Sequence, residues 1–442
     1  MSVIASLASF VAGAKASALP AAERDRQRLH LTDTVVAALA GAHIPEGKAL
    51  ARLGVDGSLA GRIGRQAAAI RLTEIDDIHL PSCTTPSAGV VPVALALAAH
   101  ENKFEPETLA GAIWVGTEVA TRIGMAVSGP QILYRGIWPT YLAAPVAAAA
   151  TAARMMELDV TRCGQALSLA FMLMAGGVGR IHGAPSGRWF LYGNAVAAGV
   201  AAAEAARADY CGDPEILEKN WLADTHGIAI DRAQLIPLPG PKSIYAELSM
   251  KPFCSAKQGI AAVEAFRAIL ASPVRLDAIA KVRVRVPRAY AGMIAARAEP
   301  GARQSTLVSV AHQIALAALR PEQLYDVDRS AAKPDTDVSQ LAAKVEVIAD
   351  AELDAFYPQH WPAEVEVEAE GKVLRHRVVE ARGDPNNPLG GADINDKAHR
   401  VLDPLLGAAS VRNWLSVCQD ALIDNAGCQR LATAWRDPDG GI

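Results

Sequence analysis

Residues 71–88 read RLTEIDDIHLPSCTTPSA. Two adjacent carboxylates (Asp76, Asp77), an imidazole (His79), a thiol (Cys83) and three hydroxyls (Ser82, Thr84, Thr85) stand there between two strongly apolar helical stretches. Most of the flanking sequence is Ala, Val, Leu and Gly, so a polar knot in its middle is either a surface loop or the floor of a site. Asp-Asp ahead of Pro and Ser is ordinary turn chemistry. On the residues alone that favours the surface loop.

Working outward, the composition sets the class. The 442 residues suffice for two or three domains with a large core. Hydrophobic content is 51% but aromatic content only 5%, which predicts Ala-rich helices packed closely on one another. A net charge of -4 excludes the basic balance of a nucleic-acid or anionic-membrane binder. The six cysteines (Cys83, Cys163, Cys211, Cys254, Cys418, Cys428) include no CxxC or CxxH pair. That spacing points to a reducing, cytoplasmic compartment and away from a zinc site or a disulfide framework. The N-terminal MSVIASLASFVAGAKASALP lacks a basic leader region and reads as the first helix of the domain. The run Ala143 to Leu158, broken by Arg154, reads as a buried helix rather than a membrane span.

Helices are predicted at Ala88–His100, opened by Pro86 and Ser87, and at Pro106–Ile123. Three more follow at Val146–Met156, Thr161–Met174 and Asn194–Asp209, apolar on every side as the centre of a bundle requires. Two glycine-punctuated links, 128–145 and 176–194, join them. After the proline-rich IPLPGPKS (236–243) the pattern changes to period-two alternation in KVRVRVPR, KVEVIAD and AEVEVEAE, with a Glu-Gly-Lys turn into VLRHRVVEAR. One helix, about Ser305 to Leu319, interrupts it. Beyond RGDPNNPLGG the chain is helical again. The expected fold class is therefore mainly α: a large all-helical domain (1–245 and 395–442) with a smaller α+β domain (246–394) inserted before the C-terminal helices.

Four blocks carry a resemblance. The DD-x-H of Asp76 to His79, running into Thr85-Pro-Ser, is similar to the acidic fingerprint of the MmgE/PrpD family. YRGIWPTY (134–141), GRIHGAPSGRWFLYGNA (179–195) and MKPFCSAKQG (250–259) resemble three further family segments. The resemblance spans nearly the whole chain. It implies a helical domain built from both chain ends, an α+β lid, an active site in the cleft between them, and a homodimer. It also implies cofactor-independent chemistry on small di- or tricarboxylic acids, such as 2-methylcitrate dehydration, cis-aconitate decarboxylation or iminodisuccinate epimerisation. Thr85, Trp138 and Ile260 stand where relatives carry His, Arg188 where they carry Lys, and His312 where they tend to carry Tyr.

The shared chemical difficulty is charge developing on a carbon next to a carboxylate, which cations, hydrogen-bond donors and a proton carrier relieve. The catalytic candidates are Asp77, His79, His182, His312 and Tyr141. Substrate-binding candidates are Thr85, Arg135, Trp138, Arg180, Arg188 and Lys257, and no metal ligands are assigned. An arginine at 188 can clamp a carboxylate with two parallel bonds but cannot serve as a base. Cys254 reads as a small buried hydrophobe. The expected function is a lyase acting by proton abstraction next to a carboxylate, with a two-base epimerase or isomerase as one alternative and a non-catalytic metabolite binder as the other.

Overall fold

A computed structural model describes residues 2–53, 57–174, 187–236, 244–299, 302–329 and 335–436. They form two compact units. Among the described residues one runs up to Leu248 and resumes at Leu402, and the other is Ser249–Val401.

The first unit is helical throughout. Its centre is the helix Ser87–Glu101, buried at every residue from Ser87 to Ala99, with Pro139–Met155, Pro106–Ala126 and Leu59–Leu72 packed around it. Alanine and glycine on these faces let backbones approach closely. A Cβ at Gly64 would lie 2.5 Å from the carbonyl oxygen of Gly193, and one at Gly193 would lie 2.3 Å from that of Gly64. Backbone meets backbone there, so Leu59–Leu72 and Gly187–Arg207 cross in direct contact. The C-terminal helices Ala408–Gln419 and Asn425–Arg436 belong to the same unit, where Trp435 Nε1 donates to Gln66 Oε1 at 3.0 Å.

Two helix starts differ from the sequence expectation. One helix is already formed at Gly187, the first described residue after 174 and well before the expected Asn194, because Trp189 and Tyr192 share a buried face and tertiary burial outweighs their modest helix propensity. The other begins at Pro139 instead of Val146. Pro139 occupies the first turn, where a missing N–H is harmless, and the helix then continues through Pro145. Pro145 has no N–H to offer the carbonyl of Tyr141, one turn earlier. A short helix, Gly129–Leu133, also stands inside the expected link.

In the second unit the strands Val345–Ala349, Ile279–Val286, Ala363–Ala369 and Lys372–Val378 form one sheet in that order. The first pair is parallel (Val282 beside Val345) and the others antiparallel. Glu370 and Gly371, both at positive φ (51° and 71°), close the hairpin predicted at Glu-Gly-Lys. Val282, Val284 and Val286 are buried, while Arg283 and Arg285, alternating with them, pair with Glu366, Glu368 and Asp350. The helix Lys257–Leu270 packs on Ala363–Ala369 and Lys372–Val378. The single helix expected at 305–319 is two, Arg303–Val308 and Val310–Leu319, because Ser309 leaves the helix and caps the second with its hydroxyl. No helix among the described residues is long and apolar enough to cross a membrane.

Candidate active site

The helix Leu59–Leu72 stops at Thr73, whose hydroxyl donates to the Ile70 carbonyl at 2.7 Å, and the next residue, Glu74, turns left-handed at φ 55°. A non-glycine residue at positive φ is uncommon and marks a position held by its surroundings. Here the turn folds the acidic segment back over the helix end. Arg71, 5% exposed, donates from Nη1 to both oxygens of Asp76 at 2.5 Å and from Nη2 to Glu74 Oε1 at 3.3 Å. Burial alone would depress the guanidinium; Asp76 and then Glu74 outweigh it and hold it above its ordinary range.

A second arginine reaches the same carboxylate. The crossing at Gly64 and Gly193 brings the start of Gly187–Arg207 alongside, and Arg188 Nη2 lies 3.6 Å from Glu74 Oε1. Its guanidinium stacks over Trp138 (4.7 Å to the ring centroid) and Trp189 (4.1 Å). Trp138 in turn stacks on Tyr141 at 5.8 Å, and Tyr141 leans on Tyr192 at 5.3 Å. Two arginines and two carboxylates are thus walled by four aromatic rings drawn from the starts of two helices.

Three donors in this cluster are buried without an acceptor among the described residues: Tyr141 Oη, Trp189 Nε1 and Arg71 Nε. Buried polar groups are almost always hydrogen-bonded, so each of the three still has a hydrogen bond to give. Burial pushes the Tyr141 hydroxyl up to about 12, against the opposing pull of Arg188 and Arg71. It therefore stays protonated and donates throughout the physiological range.

Asp77, next to Asp76, points elsewhere. Its Oδ1 accepts from the Ser87 N–H at 3.2 Å, capping the central helix, and its Oδ2 accepts from Ser87 Oγ at 2.5 Å and His30 Nδ1 at 3.0 Å. Three donors commit the carboxylate to holding the loop. His79 is equally occupied: Nδ1 meets Ser82 Oγ at 2.9 Å and Nε2 meets Glu247 Oε2 at 3.4 Å. The structure brings Tyr141, Trp138 and Arg188 together and sets Asp77 and His79 to bracing the segment beside them. Thr85 is bonded to Thr140, its N–H at 3.1 Å and its hydroxyl at 3.4 Å. Beside it a cavity of about 10 Å³, lined by Thr84, Thr140 and Tyr192 among others, is at the lower limit for one water. Arg135 is exposed and donates to the Gly227 carbonyl. Arg180 and His182 lie outside the described residues.

In the second unit Lys257 is internally satisfied. Its Nζ lies 2.6 Å from Asp384 Oδ1, both side chains almost fully buried, and Ser249 Oγ and the Ala381 N–H also donate to Asp384. The charge expected to meet a substrate carboxylate therefore meets a protein one. His312 sits in the first turn of Val310–Leu319, its N–H donating to Ser309 Oγ. Burial, and behind it the Arg329 cation, lowers the imidazole to about 4, so it is neutral at physiological pH. Arg329 itself is buried and donates only to carbonyls, among them Cys254 (2.9 Å) and Leu324 (3.0 Å). Burial pushes the Cys254 thiol up to about 11, which suits a packing residue better than a nucleophile. No group of three or more His, Cys, Asp or Glu among the described residues is placed to hold a metal ion.

Sequence reasoning missed Arg71, Glu74, Trp189, Tyr192 and His30. An arginine closing the otherwise apolar run Ala67–Leu72 was a usable signal, since a buried cation needs a partner. Trp189 and Tyr192 followed from Arg188 once its helix was started early enough.

Residues 65–226 match the MmgE/PrpD N-terminal domain and residues 253–421 the MmgE/PrpD C-terminal domain. The chain belongs to the MmgE/PrpD family. The N-terminal MmgE/PrpD match contains the whole arginine and carboxylate cluster, from Arg71 to Tyr192, whereas Lys257 and His312 fall in the C-terminal match. A cis-aconitate decarboxylase-like protein of Aspergillus oryzae is 27% identical over 197 residues. That similarity covers 40% of this chain and 41% of the Aspergillus protein, less than half the length of each.

Proposed function

We propose that this MmgE/PrpD protein is a lyase that develops negative charge on the carbon next to a carboxylate of a small di- or tricarboxylic acid, either by removing a proton there and expelling the hydroxyl of the neighbouring carbon as water, or by releasing carbon dioxide and delivering a proton to the carbon it leaves. The observation that carries the reading is the set of orphaned donors at Arg71, Tyr141 and Trp189. A carboxylate offers acceptors in the plane a guanidinium matches. Arg71 and Arg188 then oppose the charge that builds on the carboxylate as the adjacent carbon loses its proton. Tyr141, held neutral by burial, supplies the hydrogen bond that strengthens as that charge grows. Asp76 is committed to Arg71 through both oxygens, so Glu74, with its longer arginine contacts, is the carboxylate better suited to take the proton. The family membership and the decarboxylase-like relative support a dehydratase or decarboxylase over other chemistries of a carbon acid.

The test is incubation with cis-aconitate and a panel of 2-hydroxy di- and tricarboxylic acids in deuterium oxide, followed by proton NMR. Loss of water or carbon dioxide, with label at the carbon next to the carboxylate, is the expected result. Label without loss would make the protein an epimerase or isomerase. Saturable binding without label would make it a binder and contradict the proposal.

A further inference from the structure

Gly89 lies in the first turn of the central helix Ser87–Glu101, where alanine would be the better helix former. What the glycine provides there is space. A Cβ at this position would lie 2.6 Å from Tyr192 Oη, closer than a Cβ tolerates, and 3.3 Å from Val196 Cγ2. Tyr192 Cζ, one bond further back, would be 3.5 Å away, which is ordinary contact. The missing side chain therefore makes room above all for the Tyr192 hydroxyl.

The ring behind that hydroxyl meets the candidate site. Its centroid lies 5.3 Å from that of Tyr141, and Tyr192 is only 1% exposed. Trp138, the other ring on Tyr141, caps the same helix that carries Tyr141 and so travels with it. Tyr192 comes from a different helix, Gly187–Arg207, where it stands one turn after Arg188 and on the same face. Three helices thus meet at one phenol: the central helix at its hydroxyl, the helix of Tyr141 against its ring, and the helix of Arg188 that bears it. Burial raises the Tyr192 hydroxyl above its ordinary range against the pull of Arg71, so the side chain is neutral and acts through its bulk.

We propose that Tyr192 is a positioning residue that holds the Tyr141 hydroxyl in register with the Arg188 guanidinium, and that Gly89 is the seat that fixes its depth. The proposal rests on the lyase reading, in which Tyr141 donates to charge that develops on the substrate. Displacing such a preorganised group by about 1 Å can cost on the order of a hundredfold in rate. Tyr192 touches neither the substrate nor the reacting atoms; it acts through Tyr141.

The test compares G89A, Y192F, the double variant G89A/Y192F and Y192L in the full chain. Turnover of a substrate acid is followed at several concentrations, and near-ultraviolet circular dichroism reads the fixed packing of the aromatic rings. G89A drives a methyl against the hydroxyl, so kcat should fall about tenfold with KM little changed, as expected when only the transition state loses a contact. Y192F keeps the ring and should retain most of the rate. The double variant should recover most of what G89A loses, because the methyl then faces Cζ at 3.5 Å. Y192L removes the ring, so its kcat should fall about as far as that of G89A. The near-ultraviolet spectrum should change in G89A and return in the double variant. A role confined to stability does not predict a kcat loss that deleting one oxygen reverses. An undiminished kcat in G89A or Y192L, a loss confined to KM, or a double variant as slow as G89A would overturn the proposal. If wild type turns over no acid, the lyase reading fails, and the spectra still decide the geometry: a G89A spectrum equal to wild type, or one that Y192F does not restore, would overturn it.

Discussion

Replacing Tyr141 with phenylalanine should make the protein more stable and less able to act on a carboxylate. The ring is 5% exposed, and its hydroxyl has no hydrogen-bond partner among the described residues. Desolvating a hydroxyl without repaying the lost water costs about 1–3 kcal/mol. Phenylalanine keeps the ring contacts with Trp138 and Tyr192 and removes that burden, so Y141F should gain on the order of 1 kcal/mol. Urea denaturation reads this as a raised midpoint at unchanged slope. The same change removes a preorganised donor, which typically costs a hundredfold or more in rate. Deuterium incorporation into a substrate acid should therefore fall by about two orders of magnitude. The sign at high pH is fixed as well. Tyr141 is raised from 10.0 to about 12, so its neutral form is favoured by folding; that contribution is present below pH 10 and lost as pH rises through 12. Y141F should flatten this part of the alkaline limb. A variant less stable than wild type, or equally stable and fully active, would refute the reasoning, because the hydroxyl would then have a partner or no task.

Three further outcomes follow from the same geometry. Lys257→Met leaves Asp384 charged and buried, and urea denaturation should show a loss of roughly 3–5 kcal/mol, where a loss below about 1 kcal/mol would contradict a closed pair. His312 is lowered from 6.5 to about 4, so the stability it lends is present above pH 6.5 and lost as pH falls through 4; H312Q should flatten the acid limb in that window, and an unaltered slope would count against a buried neutral imidazole. Gly64→Ala puts a methyl 2.5 Å from the Gly193 carbonyl oxygen, with backbone on the far side; it should cost about 1–3 kcal/mol and weaken carboxylate binding by pushing Arg188 from Glu74, and a variant indistinguishable from wild type in both would show that the two helices can part freely.

Much of the architecture was legible because it rests on local properties of the chain. The helix Val160–Met172 announces itself through a long apolar run without a breaker, and the strands around Val282 and Val365 through apolar spacing of 2. The helix starts at Pro139 and Gly187 do not, because proline, glycine and bulky aromatics weaken the local signal and only burial against other helices restores it. Around the candidate site the polar segment was legible and its partners were not, for a related reason. Asp76 and Asp77 are neighbours of the same type in a segment without regular structure, and nothing local says which one turns toward Arg71 and which toward His30. That choice depends on the left-handed turn at Glu74 and on a histidine 47 positions away in the helix Ala21–His43. Lys257 was recognisable as a cation, but its partner Asp384 lies far along the chain, and an ion pair leaves no periodic trace.

The most direct test of the central claim is deuterium incorporation at the carbon next to a carboxylate, measured across a panel of small acids for wild type, R188Q and Y141F in parallel. The account predicts label in at least one acid with wild type and a loss of about a hundredfold in each variant. Silence across the panel, or label that persists undiminished in R188Q and Y141F, would contradict it.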